Sequence, residues 1–301
     1  MLEFEKKIRA LGKTKVAGID EVGRGPLCGP VVASSVILPE NVDIPGLTDS
    51  KKLSPKKRIR LYDEIVEKAV SIGVGIINED RIDEINILNA TIEAMILSIE
   101  DLNIKPDFLL VDGNMKNITT IPQESIIKGD SKSLSISAAS VIAKVTRDRL
   151  MKDYDMIFPN YGFSRNMGYG TKEHIQALGK GFSTPIHRKT FKPVSDYLPN
   201  FSDLTDIKKL RLQLAATDLL KKSHSLININ FSEYYFLTSK DESLNFYLLS
   251  TEFSKNQICD LVTEILDNDS NKKDISSNLN ISVISVEFSK AKPKIKYEKY
   301  T

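Results

Sequence analysis

The sequence predicts an α/β protein: a mixed β-sheet flanked by helices, followed by a small C-terminal α/β module. Three observations carry this prediction. Short apolar runs ending on a carboxylate recur, with Val16–Ile19 before Asp20-Glu21, Phe108–Val111 before Asp112, and Ser125–Ile127 shortly before Asp130. Between and around them lie segments whose apolar residues repeat at helical spacing, and strands alternating with helices indicate a helix-covered sheet. Composition also changes near residue 200, since all fifteen glycines fall between Gly12 and Gly181. The expected organisation is one domain over 1–198 and a second over 199–301, with Pro193 and Pro199 bracketing the linker.

The elements follow in order. Val16 to Ile19 reads as a strand ending on Asp20 and Glu21. Neighbouring side chains of a strand point to opposite faces, so the two carboxylates meet at one point only if the chain turns there. Gly23-Arg24-Gly25 supplies a turn and lets backbone N–H groups approach a phosphate. A second strand runs from Val31 to Leu38. Ser54 is a candidate N-cap with Pro55 at the first helical position, and Leu61, Ile65 and Ala69 follow on one face. Ser71 to Ile77 is β-branched and reads as a strand. From Asp80 a long helix carries Ile85, Leu88, Ile92, Met95, Ile96 and Ile99 as an apolar stripe. Phe108-Leu-Leu-Val-Asp112 suits a central parallel strand. Ser135 to Met156 is a helix whose first residues are small, allowing another element to pack close.

Bulk properties narrow the function classes. With 301 residues the chain exceeds one average domain, and its 41% hydrophobic and 27% charged residues are those of a folded protein. A net charge of only +2 provides no bulk case for nucleic-acid binding, so any such surface is local. Cys28 and Cys259 lie far apart without CxxC partners, which argues against a disulfide framework or a zinc site. The N-terminus lacks an apolar signal segment and no apolar run is long enough to span a bilayer, so a soluble, cytoplasmic protein without membrane association is expected. The sequence contains neither GxxxxGK[ST] nor GxSxG, which excludes a P-loop and gives no serine hydrolase signature.

Ligand sites of open α/β sheets gather beyond the carboxyl ends of strands, and Asp20, Glu21, Asp112 and Asp130 are all candidates for such ends. Four carboxylates close together repel one another unless compensated. A hard divalent cation with oxygen preference, Mg²⁺ or Mn²⁺, is the economical compensation. Two such ions about 4 Å apart support in-line phosphoryl displacement by water. A phosphodiester substrate requires local positive charge, and Tyr161 to Lys192 supplies Arg165, Lys172, Lys180, Arg188, Lys189 and Lys192 interleaved with Tyr161, Phe163, Tyr169, Phe182 and Phe191. Such a stretch suits sugar-phosphate contact and stacking, and equally a packed subdomain with a charged rim.

A resemblance now stands on the residues. Gly18-Ile-Asp-Glu-Val-Gly-Arg-Gly-Pro26, Asp49-Ser-Lys-Lys-Leu53, Val111-Asp-Gly113, Lys128-Gly-Asp130, Ser137-Ala-Ala-Ser140 with Ala143-Lys144 and Thr146-Arg-Asp148, Tyr161-Gly-Phe163, Gly168-Tyr-Gly-Thr171 and His187-Arg188 together resemble bacterial ribonuclease HII, the type 2 ribonuclease H, over residues 15 to 198. The resemblance implies a ribonuclease H-like mixed sheet with a helical cap, and Asp20, Glu21, Asp112 and Asp130 as metal-binding catalytic carboxylates. It implies that Gly23-Arg24-Gly25 and Tyr169 read an RNA–DNA junction through its 2′-OH. Lys51, Lys52, Ser137, Lys144, Arg147 and Arg188 would be lesser phosphate or structural positions, with a plain helix-surface role as the alternative for Lys144 and Arg147. The family usually carries a lysine before Gly168-Tyr169, and Met167 stands there.

The implied function is a monomeric endonuclease acting on RNA–DNA hybrids and on duplex DNA containing ribonucleotides, with two Mg²⁺ or Mn²⁺ ions per site. Another two-metal nuclease on the same fold, or a catalytically idle hybrid-binding module, are the alternatives. Beyond residue 200 the expectation is a basic helix from Ile207 to Lys222, strands near Leu226 to Leu237 and Leu244 to Ser250, a helix from Ser254 to Leu266, and a strand from Ile281 to Phe288. No role for this segment is legible in its residues.

Overall fold

The computed structural model describes residues 1–47, 53–200, 203–241, 243–249, 279–288 and 293–299. It forms two compact units, Met1–Met151 with Ser164–Leu198 and Lys152–Phe163 with Pro199–Thr301. Residues 152–163, expected within a first domain of 1–198, group instead with the C-terminal segment. The chain runs α1 (Glu3–Ala10), β1 (Val16–Val22), β2 (Val31–Ile37), α2 (Pro55–Lys68), β3 (Ser71–Ile77), α3 (Glu79–Glu100), β4 (Phe108–Asp112), β5 (Gln123–Ile126), α4 (Leu134–Ile157), α5 (Phe163–Asn166) and α6 (Lys172–Gly181).

The first unit is built on a mixed five-stranded sheet of order β3-β2-β1-β4-β5. β2 runs antiparallel to β1 and β3, whereas β4 lies parallel to both β1 and β5. Central β1 is buried on both faces as far as Asp20, which explains its unbroken apolar run. On one face Ala17, Ile19, Leu109 and Val111 pack with Ala94, Met95 and Ile99 of α3. On the other, Val36 packs with Leu61 and Ile65 of α2 and Ala138, Ala139 and Ile142 of α4, while Val16, Leu110 and Ile126 meet Ile136.

Helix ends follow their local chemistry. Ser54 Oγ accepts from the Lys57 N–H at 3.3 Å with Pro55 in the first turn, and Leu61 and Ile65 are buried, as the spacing predicts. α3 departs from expectation at Asn86, whose φ of 67° interrupts the helix. Asn86 Oδ1 accepts from the N–H groups of Leu88 (3.0 Å) and Asn89 (3.1 Å), so it caps a second helical half. The break resets the helical phase, which leaves Leu88, assigned to the stripe by spacing, 50% exposed while Met95 and Ile99 are buried. The unanticipated α1 supplies Glu5, whose Oε1 accepts from Ser133 Oγ (2.6 Å), Ser135 N (2.9 Å) and Ser135 Oγ (2.7 Å). A buried carboxylate thus satisfies the open donors at the start of α4.

The small residues opening α4 do allow close approach. A Cβ on Gly18 would stand 2.1 Å from the carbonyl carbon of Ser135 and 2.3 Å from Ile136 N. Those are backbone atoms, so no rotamer change relieves the clash. Gly18→Ala is expected to destabilise the first unit by about 3 kcal/mol or more, measured as the denaturant midpoint. A midpoint within about 0.5 kcal/mol of wild type would show that α4 can shift freely.

The second unit carries α7 (Ile207–Leu220), β6 (Ser225–Asn230), β7 (Tyr235–Lys240), β8 (Ser243–Leu249), β9 (Leu279–Glu287) and β10 (Lys294–Lys299). Its sheet has the order β10-β9-β8-β7-β6, with β8 and β9 parallel and the other pairs antiparallel. The aromatic cluster Tyr234-Tyr-Phe236 contributes to its core as expected: Tyr235 stacks on Phe246 and Phe236 on Tyr247, each pair with centroids 5.1 Å apart. The strands expected near Leu226 to Leu237 correspond to β6 and β7, which are joined by a turn, and β10 has no counterpart among the expected elements. From β10, the Tyr297 hydroxyl donates to Asp218 Oδ2 of α7 at 2.8 Å. The helix expected over Ser254 to Leu266 lies outside the described residues. No described helix is long and apolar enough to cross a membrane.

Candidate active site

The site forms where one of β1's two neighbours stops. β2 pairs with β1 as far as Val22, whereas the pairing with β4 reaches Ile19 opposite Val111, one residue before β4 ends. One step further along both strands stand Asp20 and Asp112. Alternation sends Ile19 and Val111 into the core beneath α3, so Asp20 and Asp112 face α4 side by side. β1 itself does not turn at Asp20-Glu21. It stays extended through Val22, so the expected acidic tip is part of a strand and the turn begins at Gly23.

Asp20 is buried, and its carboxyl is held well above the usual carboxylate range. Burial is the largest cause, followed by the like charges of Glu21 and Asp112. A side-chain hydrogen bond with Ser140 of α4 and the Glu21 N–H, 2.7 Å from Oδ1, act in the opposite direction. Asp112 Oδ1 accepts from Gly129 N at 2.6 Å, which ties the turn Gly129–Ser131 to the end of β4. Asp130 sits in that turn and is buried. It lies four residues beyond β5, reached through Lys128 in a left-handed conformation, and not at the strand's end as its spacing implied. Glu21 is half-buried and pairs with the Arg24 guanidinium at 3.3 Å.

Asp20, Glu21 and Asp112 lie close enough to repel one another, and their chemistry suits a hard divalent cation. They offer only carboxylate oxygens, and mutual repulsion raises the cost of their buried charge until a cation neutralises it.

The loop after β1 is built by two buried arginines. Arg188 donates from Nη2 to Gly23 O (2.5 Å) and Gly29 O (2.8 Å), from Nη1 to Arg24 O (2.9 Å) and Pro26 O (2.8 Å), and from Nε to Gly29 O (3.1 Å). Arg147 donates to Pro30 O (2.9 Å), Cys28 O (3.1 Å) and Met167 O (2.9 Å). Both side chains are fully buried, so neither contacts a phosphate, and the helix-surface alternative for Arg147 fails as well. Burial lowers the Arg188 pKa to about 10, which leaves it charged at neutral pH, and the Glu79 carboxylate lies close enough to oppose the shift. Ser137 is also fully buried, its hydroxyl without a partner among the described residues, and offers nothing to substrate. Lys144 spends its ammonium on Asp148 at 2.6 Å. Lys51 and Lys52 fall outside the described residues.

The loop's two glycines differ. Gly23 has φ +96°, and a Cβ there would lie 2.4 Å from Arg147 Nε. Its glycine is required by the protein itself. Around a Cβ on Gly25 the nearest atom is Tyr169 Cε1 at 3.5 Å, an ordinary contact. A side chain at Gly25 would rest against the Tyr169 ring, and both residues are exposed, Tyr169 to 46%. Leu27 N donates to Gly168 O at 2.8 Å, joining the two loops. Of the aromatic residues read as stacking groups, Tyr161 and Phe163 are buried and stack on each other, so they belong to the core. Arg165 is paired with Glu173.

A family model described as Ribonuclease HII matches residues 17–194. This chain belongs to the ribonuclease HII family. It is 56% identical over 198 residues to ribonuclease HII of Enterococcus faecalis, covering 66% of this chain and 77% of that protein. The identity and coverage are the same for ribonuclease HII of Bacillus mycoides. Among solved structures it is similar to ribonuclease H2 of Pyrococcus horikoshii, with a TM-score of 0.52 at 28% identity over 61% of this chain and 96% of that one. It is also similar to the ribonuclease HII–PCNA complex of Archaeoglobus fulgidus, with a TM-score of 0.51 at 26% identity over 63% of this chain and 99% of that one. As a ribonuclease HII, the protein is an endonuclease that hydrolyses RNA in RNA–DNA hybrids. Most of the segment after residue 200 lies outside these matches.

Several residues that build this ribonuclease HII site were not singled out from the sequence. Ser140 reads in the sequence only as a small residue that lets another element pack close, and Glu79 and Asp83 carry no signal. Asp83 accepts from Lys189 N (2.8 Å) and Thr190 N (3.0 Å), fixing the chain directly after Arg188. Only the adjacency of His187 to Arg188 could have pointed to this framework.

Proposed function

We propose that Asp20, Glu21, Asp112 and Asp130 hold two divalent cations, Mg²⁺ or Mn²⁺, and that the enzyme also nicks duplex DNA on the 5′ side of a single embedded ribonucleotide, leaving 3′-OH and 5′-phosphate ends. The observation that carries this reading is the side-by-side stand of Asp20 and Asp112 at the end of the β1–β4 pairing. Ions held there supply activation of water and neutralisation of charge at phosphorus. The protein's part is to fix the ligands. Ser140 and the Glu21 N–H orient Asp20, and the Gly129 N–H orients Asp112. Gly25, exposed and without a side chain beside Tyr169, lets a sugar approach the backbone, and the Tyr169 ring stacks on the neighbouring sugar. A 2′-OH is both donor and acceptor, which is what backbone groups of Gly23-Arg24-Gly25 are suited to recognise.

The test is Mg²⁺- or Mn²⁺-dependent cleavage of two duplexes, one with a single ribonucleotide and one with a continuous RNA strand, by wild type and Gly25→Ala. Wild type is expected to cut both. Gly25→Ala should fold with wild-type stability, since nothing in the protein crowds the new methyl, yet lose at least tenfold in kcat/KM on the single ribonucleotide. Cleavage of that duplex by Gly25→Ala at the wild-type rate, or no cleavage of it by wild type in either metal, would overturn the reading.

A further inference from the structure

Two histidines that the proposed chemistry does not use lie beside the Tyr169 loop, their rings tilted by 49° with centroids 5.1 Å apart. His174 and His187 are fully buried, and their Nε2 atoms lie 2.9 Å apart. The surrounding donors fix their protons. Thr184 N–H donates to His187 Nδ1 at 2.9 Å, so that nitrogen is an acceptor and the His187 proton sits on Nε2. His187 Nε2–H then donates to His174 Nε2, which leaves the His174 proton on Nδ1, 3.0 Å from the carbonyl oxygen of Tyr169. Burial pushes His187 down to about 3 and lowers His174 as well, which favours the neutral rings that this order of donors requires. The chain of bonds ends on the backbone of the half-exposed tyrosine that faces Gly25.

The neighbouring residue acts on the other side of the same feature. His187 forms an isolated antiparallel bridge with Cys28, and Arg188 grips the carbonyls of Gly23, Arg24, Pro26 and Gly29. One dipeptide therefore holds both loops whose separation sets the gap between Gly25 and the Tyr169 ring. We propose that His187 and His174 are positioning residues that fix the Tyr169 backbone against Gly25 and thereby set selectivity for a 2′-OH, an inference that rests on the reading of Tyr169 given above. The same rings form a trio with Cys28, their ligand atoms all within 4.8 Å of one another. A cation there is disfavoured by the nearby Arg147 and Arg188 guanidiniums and by burial, which raises the Cys28 pKa far above its usual value.

The test combines kinetics with a spectroscopic signature of the unmodified enzyme. ¹⁵N-histidine NMR of the full chain is expected to show His187 as the Nε2–H tautomer and His174 as the Nδ1–H tautomer, both neutral at pH 8. His174→Ala should lower kcat/KM at a single ribonucleotide about tenfold, mainly through KM, with a smaller loss on a continuous RNA strand. His174→Asn, whose amide can still donate to the Tyr169 carbonyl, should recover most of it. In a double-mutant cycle the His174→Ala effect should vanish in a Tyr169→Ala background. If Tyr169→Ala leaves both duplexes cut at wild-type rates, the underlying reading of Tyr169 fails. If Tyr169→Ala is impaired but His174→Ala adds to it in full, or matches wild type, the inference alone fails. The opposite tautomers, a charged ring in wild type, or one equivalent of zinc in the purified protein would likewise overturn it, whether or not any variant folds.

Discussion

Asp20→Asn and Asp112→Asn are each expected to lower cleavage by at least about 1,000-fold while leaving affinity for an RNA–DNA hybrid largely intact. The carboxylates sit at a strand end facing α4, whereas the loops suited to the sugar-phosphate backbone are held by separate residues, chiefly Arg188 and Arg147. The stability of the same variants should move the other way. In the metal-free protein Asp20 is buried beside Glu21 and Asp112, so its charge works against the fold. A carboxylate whose folded pKa is raised takes up a proton more readily folded than unfolded. Metal-free wild type should therefore gain stability as pH falls from neutral through that raised pKa. Asp20→Asn removes this liability and should melt at or above the wild-type temperature at neutral pH without divalent ions. Adding Mn²⁺ or Mg²⁺ should raise the melting temperature of wild type and not of the variant. Activity above about 1% of wild type in both variants would sink the ligand assignment. A metal-induced shift retained in Asp20→Asn would show that the ions bind elsewhere.

The legible part of this molecule was the part set by strand chemistry. An apolar run ending on a carboxylate fixes both the strand and the place of its acid, and so Asp20 and Asp112 are both legible as acids at strand ends, whereas their adjacency follows from the β1–β4 pairing. Asp130 was legible as a candidate, but its position four residues past β5 depends on a turn whose geometry rests on Lys128 in a left-handed conformation and on the Gly129 bond to Asp112. The continuation of β1 through Val22 was hidden because it depends on which neighbour stops first: β2 continues to pair, and β4 does not. Asn86 inside α3 looks like any polar helix residue until its side chain is seen to cap the following turn.

Charge was the least legible feature. In the sequence a buried arginine and a phosphate-binding arginine are the same letter, and both suit a basic, glycine-rich stretch. What separates them is whether backbone carbonyls surround the guanidinium, which is decided by the path of residues 23–30 and not by residue 188 itself. The same holds for Lys144, which an acid four residues on takes up on one helical face. The aromatic residues Tyr161 and Phe163 were equally ambiguous, since the glycine between them suits a loop and the structure uses them as core.

The other large effect is expected at Arg188. Its guanidinium makes five hydrogen bonds to four carbonyls of the loop that follows β1. It is buried among them, with its face 5.1 Å from the Phe191 ring. Arg188→Met keeps much of the stem's volume but strands those carbonyls away from water, each at a cost of about 1–3 kcal/mol if it finds no other partner. It also takes away one of the two guanidiniums whose shifts the Glu79 carboxylate opposes. The loop will relax and recover part of the loss, so the net destabilisation is expected to be about 4 kcal/mol. Arg188→Lys should recover little of it, because one ammonium with three donors on a flexible stem cannot reach four carbonyls fixed in a fork-shaped array. The measurement is denaturant unfolding of wild type and both variants, followed by cleavage assays at a temperature where each is folded. Under those conditions both variants should still bind metal, since Asp20 and Asp112 are oriented by Ser140 and Gly129, but should lose selectivity for a single ribonucleotide as Gly23, Arg24 and Gly25 drift from Tyr169. If Arg188→Lys keeps both wild-type stability and wild-type cleavage, the loop is held by other means and the carbonyl array is incidental to how the enzyme reads its substrate.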